Sequence, residues 1–135
     1  MASKRVAIIG AGISGLSAIK ACLEEELVPV CLEKSDHVGG LWHYEKEVRD
    51  GVASVMKNTI TNVCKETTPF SDYPFPEDAP NYLRNAEFLE YLESYAKEFD
   101  LLRYIQYNKE VVRVEEAEGY EENGQWLVTY RSNRK

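Results

Sequence analysis

Glycines stand at positions 10, 12 and 15 in the run Gly10-Ala11-Gly12-Ile13-Ser14-Gly15, and what flanks them restricts the fold more than any other feature of the chain. Before them, Arg5 to Ile9 is a short apolar run rich in β-branched residues, the form of a strand buried on both faces of a parallel sheet. After them, Leu16, Ile19, Leu23 and Leu27 recur every three or four residues, with Lys20 and Glu24 to Glu26 on other faces. That spacing predicts an amphipathic helix starting at Ile13. Val28 to Glu33 is strand-like again, with Pro29 near its start, where a missing amide donor is tolerated. Strand, glycine loop, helix and strand make a β-α-β unit, whose right-handed crossover begins a doubly wound, Rossmann-like α/β sheet.

In that setting the spacing G-x-G-x-x-G divides labour among its glycines. Gly10 permits a tight turn, Gly12 lets a pyrophosphate approach the backbone without meeting a Cβ, and Gly15 lets helix and strand pack closely. Free amides at the helix start, at Ile13 and Ser14, then face the phosphates, and the helix end adds roughly half a positive charge. Glu33 ends the second strand, where a carboxylate accepts hydrogen bonds from both hydroxyls of an adenosine ribose and repels a 2′-phosphate. The nucleotide read here is NAD or FAD rather than NADP. Gly39-Gly40-Leu41-Trp42 follows closely; a second glycine pair near the pyrophosphate, with Trp42 to line the site, favours FAD over NAD. A glycine-rich turn without ligand and a solvated glutamate are the competing readings.

The remainder is less periodic. Ser35 to Pro80 is irregular, punctuated by glycines 39, 40 and 51 and prolines 69, 74, 76 and 80, yet its aromatic content argues against disorder. Asn85 is a good N-cap for a second helix whose Phe88, Leu89, Leu92, Tyr95, Ala96 and Phe99 form one apolar stripe. Tyr104 to Glu115 reads as extended and Gln125 to Arg131 as a strand after a turn at Asn123-Gly124, together a short β-meander. With 135 residues the chain suffices for one domain. Sixteen basic against 23 acidic side chains, net −7, disfavour nucleic acid and anionic lipid as partners. No apolar run reaches the roughly 18 residues of a membrane span, and the early glycines rule out a signal peptide. Cys22, Cys31 and Cys64 form no C-x-x-C pair, which fits a reduced, intracellular protein with buried free thiols. His37 and His43 flank the second glycine pair, are not at a metal spacing, and read as solvated loop residues; no metal is expected.

The glycine motif, Glu33, Gly39-Gly40-Leu41-Trp42, the run Asn58 to Glu66, Phe70-Ser71-Asp72-Tyr73-Pro74 and Pro80-Asn81-Tyr82 together resemble the amino-terminal region of the flavin-containing monooxygenases, over nearly the whole chain. The resemblance implies a glutathione-reductase-like three-layer domain that holds FAD, with NADPH as its reductant. It also implies a C4a-hydroperoxide, formed with molecular oxygen, that oxygenates a soft amine nitrogen or sulfur of a small molecule. It selects Asn62, within Thr61-Asn62-Val63-Cys64-Lys65-Glu66, as the catalytic amide beside the flavin; without that match an asparagine in a loop is a turn residue. The implied cofactor-binding set is Gly10, Gly12, Ile13, Ser14, Gly15, Glu33, Lys34, Gly40, Leu41, Trp42, Thr61 and Asn62. The family further implies the endoplasmic reticulum, and glycine where Glu26 ends the first helix, so the C-cap here is expected to be strained. Family enzymes are several times longer and carry a second G-x-G-x-x-G for NADPH. Residues 1–135 are therefore expected to be the amino-terminal part of an FAD-binding domain, incomplete at its carboxy-terminal end and without the NADPH-binding domain. An incomplete gene product is favoured over a natural truncation. A non-catalytic flavin-binding remnant and a Baeyer-Villiger monooxygenase are the alternatives; a disulfide reductase needs a C-x-x-C after the glycine motif, and none is present.

Overall fold

The computed structural model describes residues 4–47 and 50–132; two positions of the irregular stretch and the terminal Lys135 lie outside the described residues. Strand β1 (Arg5–Ile9) leads through the glycine loop into helix α1 (Ile13–Glu24) and strand β2 (Val28–Leu32). β2 pairs with β1 in parallel, from Arg5↔Val28 to Ile9↔Leu32. After the irregular stretch come helix α2 (Asn85–Glu98) and a two-residue strand β3 (Ile105–Gln106), which pairs in parallel with Cys31 and Leu32 on the far side of β2. The sheet order is β1-β2-β3. Strands β4 (Lys109–Glu116) and β5 (Trp126–Ser132), joined through a one-turn helix α3 (Tyr120–Asn123), form a separate antiparallel ribbon.

The meander expected at the end is thus divided: its first residues complete the parallel sheet and the rest is a hairpin. The break falls at Asn108, whose positive φ of 56° turns the chain out of β3 before β4 begins. Pro29 is tolerated in the middle strand for a local reason. Val28 donates to the Lys4 carbonyl on the β1 side, so the next amide position faces β3, which is too short to reach it.

One core lies between the sheet and the two long helices. Ile8, Cys31 and Ile105, neighbours across the three strands, meet Leu16 and Ile19 of α1 and Phe88, Leu92, Tyr95 and Ala96 of α2. β1 is not buried on both faces: Ile8 is buried, but Ala7 and Ile9 on the opposite face are exposed, because both helices cover the same side. Asn85 is the first residue of α2 rather than its cap. Arg84 takes the extended cap conformation and donates its amide to Glu87 Oε2 at 2.7 Å, while Asn85 is buried with its N–H on the Thr59 carbonyl at 2.9 Å.

The irregular stretch is held by side chains instead of a ladder. The Tyr91 hydroxyl on α2 accepts the Phe70 amide (2.8 Å) and donates to the Tyr73 carbonyl (2.6 Å), and Phe70 stacks on Tyr95 with centroids 4.0 Å apart. Lys20 of α1 reaches Asp72 in the same turn and lies over the Phe99 ring. Lys65 closes the next segment onto the carbonyls of Glu77 and Ala79, both at 2.7 Å. Removing the tyrosine hydroxyl strands two polar backbone groups, so Tyr91→Phe is expected to lower the unfolding free energy by about 1–3 kcal/mol, read by urea denaturation.

Helix α1 ends in a Schellman turn: Leu27 N–H bonds to the Cys22 carbonyl (2.8 Å) and Glu26 N–H to Leu23 (3.2 Å), with Glu26 at φ +55°. The strained cap read from the sequence is present. Glu26→Gly is expected to raise stability by about 1 kcal/mol in the same measurement, because glycine adopts this conformation without a Cβ clash.

Candidate functional site: a glycine loop facing an open cavity

The three glycines of the loop have different structural necessities. Gly10 has φ +91°, which disfavours any side chain. At Gly15 a Cβ would lie 1.9 Å from the Gly10 carbonyl oxygen, so the helix crosses the strand end at a distance only glycine allows. Gly12 is under no such demand: its backbone is extended (φ −78°, ψ −170°), and an added Cβ would meet the Gly40 Cα at an ordinary 3.6 Å. Gly12 precedes α1, whose first turn has neither a capping side chain nor an acidic residue, so the donors at Ile13 and Ser14 are left to a ligand or solvent. The Gly39 amide bonds to the Ala11 carbonyl at 3.0 Å and fixes the second glycine pair against the first. Gly40 itself opens a short 3₁₀ turn, Gly40–Trp42.

Glu33 lies one residue beyond β2 and is 7% exposed. Its backbone is fixed from two sides, N–H to the Gln106 carbonyl (3.0 Å) and C=O from the Lys109 amide (2.8 Å). Its Oε2 accepts the Ala11 amide at 2.6 Å; its Oε1 accepts the Ser35 amide (2.8 Å) and hydroxyl (2.7 Å). Of about four acceptor positions on a carboxylate, three are thus used by the chain and one, on Oε2, is left. Two ribose hydroxyls could be accepted together only if the Ser35 hydroxyl rotated to its alternative acceptor, the His37 carbonyl at 2.9 Å.

A cavity of about 760 Å³ opens in front of this loop. That size suits an organic cofactor. Gly10, Gly12, Glu33, Lys34, Gly40 and Leu41 of the expected set line it. Ile13, Ser14 and Gly15 are not among its lining residues; Ile13 and Ser14 are exposed at the start of α1 and Gly15 is buried. Lys34 extends to the Gly51 carbonyl, across the site. Trp42 packs into the core on Phe88 with centroids 4.4 Å apart and does not line the cavity. Thr61 is buried, its amide and hydroxyl both bonded to the Leu83 backbone, while Asn62 is exposed beside it; neither reaches the cavity wall. The far wall comes from residues that no motif indicated: Asp50 to Ala53 of the irregular stretch, Asn108 to Val111, and Arg131 of the hairpin. No sequence pattern singles them out; in the structure Gly51 and Asn108 of this wall both take positive φ, 70° and 56°.

The two histidines are not separately solvated. Their rings stack with centroids 3.4 Å apart, and burial, followed by the neighbouring His37, pushes the His43 imidazole below the usual histidine range.

A parallel sheet whose first strand ends in a glycine loop, with an uncapped helix on one side and a buried acid at the next strand end, defines a dinucleotide-binding α/β domain. Residues 3–135 match the model of the flavin-binding monooxygenase-like family, and the chain belongs to it. It is 50% identical over 133 residues to human (Homo sapiens) flavin-containing monooxygenase 1 and 47% identical to the rabbit (Oryctolagus cuniculus) dimethylaniline monooxygenase [N-oxide-forming] 2; each match covers 98% of this chain. The chain spans about a quarter of the length of these curated relatives. Among solved structures, S-allyl-L-cysteine S-oxygenase from Allium sativum superposes with a TM-score of 0.86 at 29% identity, over 96% of this chain and 32% of the other. An NADP+-bound cyclohexanone monooxygenase mutant from Rhodococcus sp. Phi1 gives 0.72 at 26%, over 94% and 23%.

Beneath the loop, Cys31 is fully buried with its Sγ on the Gly10 carbonyl at 3.4 Å, and burial, then the Glu33 charge, pushes its thiol up to about 12. A thiol held protonated in this way is a poor nucleophile. Native protein treated with maleimide near pH 8 is expected to label at Cys22 and Cys64 and to spare Cys31, which reacts after denaturation; mass spectrometry reads the difference.

Proposed function

We propose that residues 1–135 are the amino-terminal part of an FAD-binding domain, and that the complete protein is a monooxygenase. It uses NADPH and molecular oxygen to oxygenate a soft nitrogen or sulfur of small molecules. One observation carries the FAD reading: Gly12 is a glycine that the chain's own backbone does not require, at the point where a diphosphate must come closest. The family match and the similarity to an S-oxygenase support the choice of chemistry. Cyclohexanone monooxygenases share the fold, but 26% identity to them against 50% to flavin-containing monooxygenase 1 favours nitrogen and sulfur oxygenation over a Baeyer-Villiger reaction.

In this reading the amides of Ile13 and Ser14 and the dipole of α1 receive the diphosphate. Oε2 of Glu33 accepts a ribose hydroxyl, and Gly40 and Leu41 close over the cofactor. Bound FAD supplies the redox chemistry and the activation of oxygen. Asn62 donates its amide beside the flavin; the motif around it supports this assignment, and its place on an exposed loop leaves it free to meet a ligand. Location at the endoplasmic reticulum rests on the family resemblance alone.

Titration of the chain with FAD, read by flavin fluorescence, tests the cofactor. Gly12→Ala is expected to keep the circular dichroism of the parent and to weaken FAD binding at least about tenfold, since a methyl group displaces the phosphates by more than a hydrogen bond tolerates. Unchanged affinity in Gly12→Ala, or no uptake by the parent chain, would overturn the assignment.

A further inference from the structure

Two histidines flank the second glycine pair, and the positive φ of Gly39 and Gly40, 103° and 53°, folds the chain so that the rings of His37 and His43 stack with centroids 3.4 Å apart. The turn between them is tied at three points. The Gly39 amide bonds to the Ala11 carbonyl (3.0 Å), the Trp42 amide to the Gly39 carbonyl (3.1 Å) and the Val55 amide to the Leu41 carbonyl (3.0 Å). From α2 the Leu89 side chain closes on Gly39, where an added Cβ would collide with its Cδ1. The two rings differ in their surroundings. His37 Nδ1 lies 3.0 Å from Asp36 Oδ1 and its Nε2 3.8 Å from Glu45 Oε1. His43 Nδ1 is shielded from solvent and has no hydrogen-bond partner among the described residues. A neutral ring leaves a lone pair there. An imidazolium carries hydrogens on both nitrogens, so its Nδ1–H would be buried without an acceptor, against a second imidazole. A proton on His43 and the closed turn therefore disfavour each other.

We propose that the His37–His43 stack is a proton-operated latch on the turn Gly39 to Trp42: with His43 neutral the turn closes against the glycine loop, and a proton on His43 unstacks the rings and releases it. The charged and titratable groups that face His43 are His37, Asp36 and Glu45 of the same loop and Glu93 of α2. Burial and then the adjacent His37 oppose a charge on His43 more strongly than the three carboxylates favour it, which holds the imidazole below the usual histidine range. Out of the stack the ring returns to an ordinary value of about 6.5, so the open turn binds the proton more tightly than the closed one. The closed turn has its full stability above about pH 7 and loses it as the pH falls through and below the ordinary histidine range, by at most about tenfold per pH unit for one proton. The effect on flavin rests on the reading given above, in which Gly40 and Leu41 of this turn close over FAD; the loosening of the turn itself does not.

The chain has two histidines, so ¹H–¹⁵N imidazole spectra recorded against pH report on this pair. In the full chain without flavin, the His43 ring is expected to titrate below the ordinary histidine value. Hydrogen-exchange protection of the Gly39 and Trp42 amides, corrected for the intrinsic pH dependence of exchange, is expected to fall about three- to tenfold between pH 7.5 and 5.5. His43→Phe keeps a ring against His37 and takes no proton, and its protection is expected to stay constant over that range. With FAD bound, the parent is expected to release flavin several times faster at pH 5.5 than at pH 7.5, and His43→Phe to show no such change. A His43 ring that titrates at or above the ordinary value, amide protection that pH does not alter, or the same fall in His43→Phe would each overturn the latch. The first of these uses the parent chain alone, so it decides the matter whether or not the variant folds. Flavin that never binds leaves the flavin-free measurements standing and counts only against the cofactor assignment.

Discussion

Helix α1 crosses the end of β1 with Gly15 over the Gly10 carbonyl, closer than any side chain permits. Backbone meets backbone there, and the contact sets the direction in which the start of α1 points. Because the helix is anchored at that distance, the Ala11 amide reaches Glu33 and the Ala11 carbonyl reaches Gly39. The loop, the acid at the end of β2 and the second glycine pair are thereby fixed as one unit, from a single steric condition. Burial of Leu16, the next residue, and of Ile19, one turn further on, maintains the crossing.

The long stretch between β2 and α2 shows how a segment can be ordered with almost no secondary structure. Some of its backbone groups pair with one another, as Thr61 with Leu83 and Lys65 with Asn81, and side chains of the helices hold the rest: Tyr91 of α2 bonds the backbone of Phe70 and Tyr73, and Lys20 of α1 bonds the Asp72 side chain. The rings of Phe70, Tyr73 and Phe75 cover the outside of α2 and extend the core past the helix pair. An aromatic side chain buries a large area for few frozen torsions, which offsets the entropy of ordering an irregular backbone. The second half of the motif region is therefore a product of packing and follows the helices in stability.

The β-α-β opening was legible in the sequence because each of its signals is local: periodicity, glycine at fixed offsets, an acid at a strand end. What escaped was set by distant partners. β3 is two residues long and has no periodicity to display; it exists because Cys31 and Leu32 offer an open edge. Asn85 has the chemistry of a cap, yet the bond between Thr59 and its amide draws it into the first turn, and Arg84 takes the cap position. Trp42 reads as a cofactor wall from its neighbours in sequence, but Phe88, 46 positions later, draws it into the core. The histidine stack likewise depends on how the loop folds around Gly39 and Gly40, whose positive φ values bring positions 37 and 43 face to face. The cavity's far wall, from the hairpin, could be seen only in three dimensions.

If Glu33 holds the adenosine ribose as proposed, its surroundings bear on which nucleotide it accepts. The donors it engages, two amides and a hydroxyl, are all neutral. The nearest basic side chain in sequence, Lys34, bonds to the Gly51 carbonyl across the same cavity. A phosphate on the adenosine ribose would face that carboxylate in a cavity whose wall also carries Lys34, Lys109 and Arg131, the last held by Glu110 at 2.8 Å. An unmodified ribose meets one open acceptor on Oε2 and a second that a serine rotation frees. In the proposed reading, the open acceptor on Glu33 Oε2 favours an unmodified ribose, and the cations of the cavity wall set how strongly a 2′-phosphate is disfavoured.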